Sequence, residues 1–293
     1  MATVFQCALE ADLMPHNPFA EVSLDGLALK GTAAQHAKAG KSARLPFSSA
    51  QLEQYFSGPL FAGPGFHVDL PASVAYWFPL MLRLTGARPV EISYLMRDDI
   101  AQHDNSTWLY IFRDDVRAPD GTARRTKHDV SVRRVPLPQV LLDLGFMDYV
   151  SSVSHGQWLF PLEVPNVEEP NRPTYTLEAL GDYRRITLGI TDRRVVTYSF
   201  RHNIVDELRA AGIEAGTRDA FVGHAQGNAF DKNSGEIYYG HRWYPAAPLV
   251  DAVQRLFPTN PLPAGFPSWD EFVNASPDFH GVDRPPRATR RAR

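Results

Sequence analysis

The segment of residues 72–84 constrains the fold more than any other part of the sequence. It follows Pro71, a residue suited to the first turn of a helix, and its apolar side chains occupy every face of a helix. A helix that is apolar all round is buried in a core or spans a membrane. Because the run is too short to span a bilayer and contains Pro79 and Arg83, it predicts a central core helix, kinked at the proline.

Composition removes several classes of protein. In a chain of 293 residues, 44% hydrophobic and 22% charged residues exclude a disordered chain, and the length suggests one or two domains. No window approaches 18 consecutive apolar residues, and no basic segment precedes an apolar run at the N-terminus. The single Cys7 excludes an internal disulfide and a cysteine-based zinc site. We therefore expect a cytoplasmic protein with no contact to membranes.

The remaining pattern predicts a mainly α-helical α+β fold. Ser48 and Gln51 form a capping-box pattern ahead of a helix. Two β-rich runs, residues 107–113 and 130–137, flank a Pro-Asp-Gly turn signal and predict a small antiparallel hairpin. Further helices are predicted at residues 177–188, 199–211, 217–222 and 248–257.

Composition also divides the chain. Residues 1–43 combine a short helix over residues 1–15 with a linker rich in Gly, Ala, Lys and Ser. Residues 44–258 hold the predicted helices and hairpin, and we interpret them as one domain. Residues 259–293 are rich in Pro, Gly and Arg, which predicts a loose tail.

The net charge of −3 hides basic segments. Residues 117–135 hold six basic residues against two acids, a local charge of +4, and residues 181–202 hold five arginines against two acids, a local +3. Residues 284–293 add five arginines without an acid, which a disordered tail explains well enough. Binding to a polyanion depends on where charge lies, so the two internal segments favour a nucleic-acid partner.

Common catalytic motifs are missing. The sequence has no GxxxxGK[ST], GxGxxG, HExxH or GxSxG pattern, and its ten histidines show no metal-ligand spacing. We therefore expect no cofactor and no metal.

Five short segments hold the residues that can carry chemistry. In chain order they read TGARPVEISYL from Thr85, KHDVSVRRVPLP from Lys127, YSFRH from Tyr198, GHA from Gly223 and IYYG from Ile237. In this order and spacing, over about residues 43–258, the chain resembles the tyrosine recombinases, the phage-integrase family of site-specific DNA recombinases. The resemblance implies a tyrosine-recombinase-like catalytic domain that cuts and rejoins DNA through a 3′-phosphotyrosine, without metal or ATP.

The resemblance also implies a role for each residue. Arg88 and Arg201 would clamp the scissile phosphate, since a guanidinium presents a permanently charged fork to phosphate oxygens. Lys127 would protonate the 5′ oxygen, His224 would donate a hydrogen bond to the phosphate, and Tyr239 would be the nucleophile. From the residues alone, two structural interpretations stay open. Arg88 could form an ion pair with Glu91, and Lys127 could be a solvent-exposed lysine without a catalytic role.

Two departures from the family pattern affect these assignments. Tyr198 occupies the place of a histidine, so any general-base help there is either missing or replaced by a hydroxyl hydrogen bond. His224 and Tyr239 are 15 residues apart, longer than usual, which leaves Tyr238 as an alternative nucleophile.

The partners expected are double-stranded DNA at specific recombination sites and further copies of the chain on that DNA. Family members place a helical core-binding domain before the catalytic one, and the residues before Arg44 are too few to form it. We read them as a remnant of that domain's last helix with its linker, and expect a truncated product with weak, salt-sensitive DNA binding. Two alternatives remain, a catalytically impaired remnant that only binds DNA or other subunits, and a topoisomerase-like relaxing enzyme.

Overall fold

A computed structural model of the chain describes residues 44–64, 70–103, 105–112, 115–119, 121, 124, 132–160, 173–224 and 244–275, all within a unit that runs Arg44–Arg293. The α-helices in these ranges are α1 (Ser49–Phe56), α2 (Ala72–Thr85), α3 (Pro89–Ser93), α4 (Gln139–Asp143), α5 (Phe146–Ser152), α6 (Thr174–Asp182), α7 (Ser199–Ala210), α8 (Ala215–Val222), α9 (Ala246–Leu256) and α10 (Trp269–Asn274). The strands are β1 (Ile100–His103), β2 (Ser106–Ile111) and β3 (Arg133–Pro136). The described part is a mainly helical α+β fold, as the sequence predicts.

Helix α2 is the centre of the core. From Val74 to Thr85 every side chain is buried, which confirms the prediction drawn from its all-round apolar pattern. The helix ends at Gly86, whose φ of 63° is the left-handed conformation that glycine adopts without strain. A Cβ at Gly86 would lie 2.9 Å from Cγ2 of Ile204 on α7, so this glycine also lets the two helices approach closely.

The residues that lead into helix α1 fix the start of α7. The predicted capping box at Ser48 and Gln51 is confirmed by reciprocal hydrogen bonds of 3.2 and 2.9 Å. Just before it, the Phe47 ring stacks on Phe200 with centroids 4.6 Å apart, and the Asn203 side chain hydrogen bonds to both backbone groups of Phe47. These contacts anchor the first turn of α7.

The predicted hairpin is confirmed, with one strand added. Strands β2 and β3 pair antiparallel, with Ile111 opposite Arg133 and Trp108 opposite Pro136. Strand β1 pairs antiparallel with β2 and was not predicted, because Ile-Ala-Gln-His carries little β-branched or aromatic character. Adjacent residues of a strand face opposite ways, so the β3 arginines separate: the Arg134 guanidinium lies 4.5 Å from the centre of the Trp108 ring, and Arg133 faces α8.

The later helices agree with prediction apart from their ends. Helix α6 begins three residues before the predicted start and continues as a π-helical turn, Tyr183–Thr187. Helices α7, α8 and α9 lie within two residues of their predicted limits.

The prediction of a loose tail after Pro258 is wrong for residues 259–275. Leu262 and Phe272 are buried, and α10 begins with a capping box formed by Ser268 and Glu271. The Trp269 ring lies 5.7 Å from Trp77 of α2. Proline and glycine content indicates the turns of this segment but not the aromatic side chains that attach it to the core. The helix predicted for residues 1–15, the linker and residues 276–293 lie outside the described residues.

Candidate functional site

Four segments of the fold meet around one group of charged side chains. Arg201 in the first turn of α7 donates to the carbonyl oxygen of Gly86 at the end of α2 (2.8 Å). Arg88, just before α3, donates to the carbonyl of Gly223 at the end of α8 (3.2 Å). Arg133 of β3 donates through Nε to the carbonyl of Phe221 (2.9 Å). We call Arg88, Arg133 and Arg201, together with Glu91, the carboxylate that Arg88 and Arg133 share, the arginine cluster.

Arg88 is held by the start of helix α3. It precedes Pro89 and adopts the extended conformation that a residue before proline prefers. The Glu91 carboxylate accepts hydrogen bonds from the Arg88 backbone N–H (2.7 Å) and from its Nη1 (2.6 Å). The ion pair that the sequence leaves open therefore forms, yet the Arg88 side chain remains 28% exposed. The guanidinium can still meet a ligand.

Arg133 is the member of the cluster that the sequence analysis missed. Its Nη1 and Nη2 donate to the two oxygens of Glu91 at 3.0 and 2.8 Å, and the side chain is buried. Strand alternation indicates that one of the two adjacent arginines of β3 faces inward. Only packing against α8 decides which one.

Arg201 is the deepest charge of the cluster. It is 2% exposed, and its Nη2 is buried without a hydrogen-bond partner among the described residues. Burial, and then repulsion from Arg133 and Arg88, lower the pKa of Arg201. An unmet donor on a buried charged group costs about 1–3 kcal/mol or more, so this position favours an incoming acceptor.

Tyr198 and His224 lie at the edge of the cluster. Burial would lower the pKa of Arg88, but Glu91 and then the neighbouring Tyr198 hydroxyl raise it. His224 follows Gly223, is half-exposed, and has its Nδ1 3.8 Å from a carboxylate oxygen of Asp219. Burial and the charge of Arg201 lower the pKa of His224 despite Asp219, so the imidazole is mostly neutral at pH 7.

The charges of the arginine cluster do not cancel. Burial alone would raise the pKa of Glu91, but the charges and hydrogen bonds of Arg133 and Arg88 lower it to about 2. At neutral pH the cluster therefore holds three guanidinium groups and one ionised carboxylate, which is bonded to Arg88 and Arg133, and this leaves a net charge of +2. Beside Arg88 and Tyr198 a groove of about 690 Å³ opens, lined also by α3 and α6. Of the cluster, Arg88 lines this groove, and Glu178 lines it as well, so an anion in the groove would meet the cluster through Arg88.

Some predicted site residues lie outside the described ranges, namely Lys127, Tyr238 and Tyr239. Their roles stay predictions. Arg88, Arg201, Tyr198 and His224 come from three separate parts of the chain and lie together around the cluster. Within the described ranges, no three His, Cys, Asp or Glu side chains are grouped as metal ligands require, and no helix is long and apolar enough to cross a membrane.

Comparison with known proteins gives little further assignment. No protein-family model and no curated protein matches this chain. Among solved structures, the chain is similar to the crystal structure of the XerH site-specific recombinase bound to its difH substrate in a pre-cleavage complex. The match has a TM-score of 0.43 and 13% sequence identity, and covers 64% of this chain and 49% of that one. The chain thus spans about half the length of the protein it matches, and a similarity of this size assigns no residue role.

Proposed function

We propose that this protein is a site-specific DNA strand transferase of the tyrosine-recombinase type, which cuts and rejoins DNA through a 3′-phosphotyrosine. One observation carries the proposal: Arg88 and Arg133, from separate segments, share a single carboxylate, and Arg201 beside them has a buried donor without a described partner. Structural arginines are normally matched by acids or carbonyls, whereas a surplus of fixed positive charge fits a site that binds an anion.

The chemistry of a phosphodiester fits this surplus. The diester carries one negative charge and gains a second in the transition state of attack at phosphorus. A net charge of +2 held by fixed guanidinium forks opposes that change without reorganisation when the reaction occurs. A non-bridging oxygen placed against Arg201 would also satisfy its unmet donor. Because the arginines supply the charge, the proposed reaction needs no metal ion.

The remaining roles follow the resemblance. In the proposed step the Tyr239 oxygen bonds to the scissile phosphorus as its proton passes to solvent water, and the bond from phosphorus to the 5′ oxygen breaks. Lys127 gives that leaving oxygen a proton, and His224 donates a hydrogen bond to a non-bridging oxygen. Attack by the 5′ hydroxyl of a second strand reverses the step and releases the tyrosine. Joining two duplexes this way would require further subunits on the DNA.

The test is a search for the covalent adduct. The full chain is incubated with a pool of nicked duplexes of random sequence, because a nick lets the cleaved 5′ fragment diffuse away and traps the intermediate. We expect an SDS-stable protein–DNA adduct that survives EDTA, and sequencing the trapped DNA reports the preferred site. Relaxation of supercoiled plasmid, compared with exchange between paired sites, separates a relaxing enzyme from a recombinase.

Two tyrosine variants form a matched pair for the nucleophile. Tyr239→Phe should abolish the adduct while DNA binding persists, and Tyr238→Phe should retain it. An adduct mapped to Tyr238 would reverse the assignment. DNA binding without any adduct would contradict strand transfer and favour the impaired remnant.

A further inference from the structure

We propose that Arg133 is a positioning residue. Its hydrogen bonds to Glu91 and to the end of helix α8 fix the positions of Arg88 and His224 around Arg201. The inference rests on the proposed function in one respect, that the arginine cluster is where the phosphate binds. It concerns a residue to which neither the sequence pattern nor the resemblance gives a role.

The contacts of Arg133 complete a ring of hydrogen bonds that runs through Glu91, Arg88 and the end of helix α8. Its two terminal nitrogens hold the Glu91 carboxylate, and Glu91 holds both the backbone and the guanidinium of Arg88. Arg88 donates to the carbonyl of Gly223, and Arg133 donates through Nε to that of Phe221, in the last turn of the same helix. A displacement of Arg133 therefore shifts Arg88 and the end of α8 together.

Arg133 also controls how much of the Arg88 charge is available. Each oxygen of Glu91 accepts one hydrogen bond from Arg133, so the carboxylate is shared between two cations. Without Arg133 the same carboxylate would pair with Arg88 alone and cancel its charge. An anion at the groove would then meet a weaker positive potential.

The fit around Arg133 is tight enough to specify arginine. Gly223 has a φ of +68°, and a Cβ there would lie 2.7 Å from Nη1 of Arg133, so the guanidinium packs directly against the helix end. A lysine carries the same charge but a single nitrogen, which cannot hold Glu91 with two bonds and reach the Phe221 carbonyl as well. The conservative variant should therefore restore only part of the function.

The experiment measures inorganic phosphate binding to the full chain by NMR, through the imidazole signals of His224, assigned with His224→Gln. The variants are Arg133→Met and Arg133→Lys. The matched control is Arg83→Met, which removes another buried arginine that pairs with a carboxylate through two bonds, here Glu207. All are measured well below their unfolding temperatures.

We expect the phosphate Kd to rise about tenfold in Arg133→Met and about threefold in Arg133→Lys, and to stay within about twofold of wild type in Arg83→Met. Where the proposed adduct forms, its rate should fall in the same order while DNA affinity changes less. Equal phosphate binding in wild type and both Arg133 variants would overturn the inference, as would an equal loss in Arg83→Met or a wild-type chain whose His224 signals ignore phosphate.

Two further outcomes are decisive. If Arg133→Met does not fold, Arg133→Lys carries the test, and wild-type phosphate binding in that folded variant counts against the inference. If phosphate binding follows the expected order but no variant and no wild-type protein forms an adduct, strand transfer fails as the function, and the positioning role of Arg133 stands.

Discussion

Helices α2 and α7 carry two arginines in opposite circumstances. Near the end of α2, Arg83 pairs with Glu207 of α7 through two hydrogen bonds of 2.9 Å, one carboxylate for one guanidinium. At the start of α7, Arg201 reaches only a backbone carbonyl among its described partners and lies beside two further arginines. The charge of Arg83 is neutralised by its partner Glu207, whereas the group around Arg201 keeps excess positive charge.

The difference separates a structural ion pair from a group of arginines whose charge is only partly compensated. A buried charge is tolerated when a partner compensates its lost hydration, and Glu207 does so for Arg83. The arginine cluster leaves this compensation incomplete, which lowers the stability of the free protein. Such local conflicts with good packing are expected where a protein binds or reacts. Four predictions, each with its own variants, test the comparison.

The largest effect is expected for Arg201→Ala. If the cluster stabilises a phosphoryl transition state, removing this donor should slow adduct formation by about 10²–10³, equivalent to about 3–4 kcal/mol. The measurement is the rate of adduct formation on nicked DNA under single-turnover conditions.

Arg201→Lys should recover only part of this rate, because a point charge cannot form the two-pronged contact. Arg83→Ala is the control and should leave the rate of the folded protein unchanged. A wild-type rate in Arg201→Ala would remove this residue from the site.

Glu91→Gln should lower the free energy of unfolding at pH 7 by about 3 kcal/mol, because the ion pairs hold the pKa of Glu91 near 2 against an ordinary 4.5. As the folded-state pKa is depressed, this stabilisation is complete above about pH 4.5 and is lost as the pH falls through 2. Urea unfolding of wild type and variant should therefore converge over this range.

Glu207→Gln is the comparison for this pH series. A third of the Glu207 side chain is exposed, so Glu207→Gln should lower the free energy of unfolding at pH 7 by less than Glu91→Gln does. A Glu91→Gln variant whose deficit does not change between pH 7 and pH 3 would contradict the ion pairs described for the cluster.

Methionine substitutions at Arg83 and at Arg201 should change the free energy of unfolding in opposite directions. Arg83→Met removes one partner of the ion pair with Glu207 and should lower the free energy of unfolding by about 2 kcal/mol, a figure reduced for the partial exposure of Glu207. Arg201→Met removes a buried charge that its neighbours repel and should raise it by about 1 kcal/mol, while abolishing adduct formation. Denaturant unfolding at pH 7 measures both, and destabilisation of equal size at the two sites would make Arg201 an ordinary structural arginine.

The smallest effect is expected at the edge of the cluster. Tyr198→Phe removes the hydroxyl that interacts electrostatically with Arg88, which should slow adduct formation up to about tenfold, or about 1 kcal/mol. Tyr198→His supplies a polar group again and should lose less than Phe does. A rate equal to wild type in Tyr198→Phe would limit the role of Tyr198 to packing.

Much of the fold could be predicted from local signals. The apolar pattern of α2, the capping box at Ser48 and the β-rich runs around the Pro-Asp-Gly turn all lie within a few residues of the elements they specify. The missed elements depend on distant partners: β1 becomes a strand because β2 pairs with it, and α10 is held by its contacts with α2.

The candidate site divides in the same way. Short segments in a characteristic order predict four of the site residues, and the described fold brings these four together: Arg88, Tyr198, Arg201 and His224. Arg133 was not selected, because its significance lies in contacts with Glu91, 42 residues away, and Phe221, 88 residues away. No local pattern records which face of a strand a helix will cover.

By itself, the sequence determined the helical class of the protein, its central helix, its hairpin and the residue types available for phosphate chemistry. Periodicity, capping and turn formation act over a few residues, so they can be read along the chain. The tertiary structure decided which arginines lie side by side, which two of them share Glu91 and which donor is left without a described partner. Those properties depend on Coulomb interactions and desolvation between segments far apart in sequence, which exist only once the chain has folded.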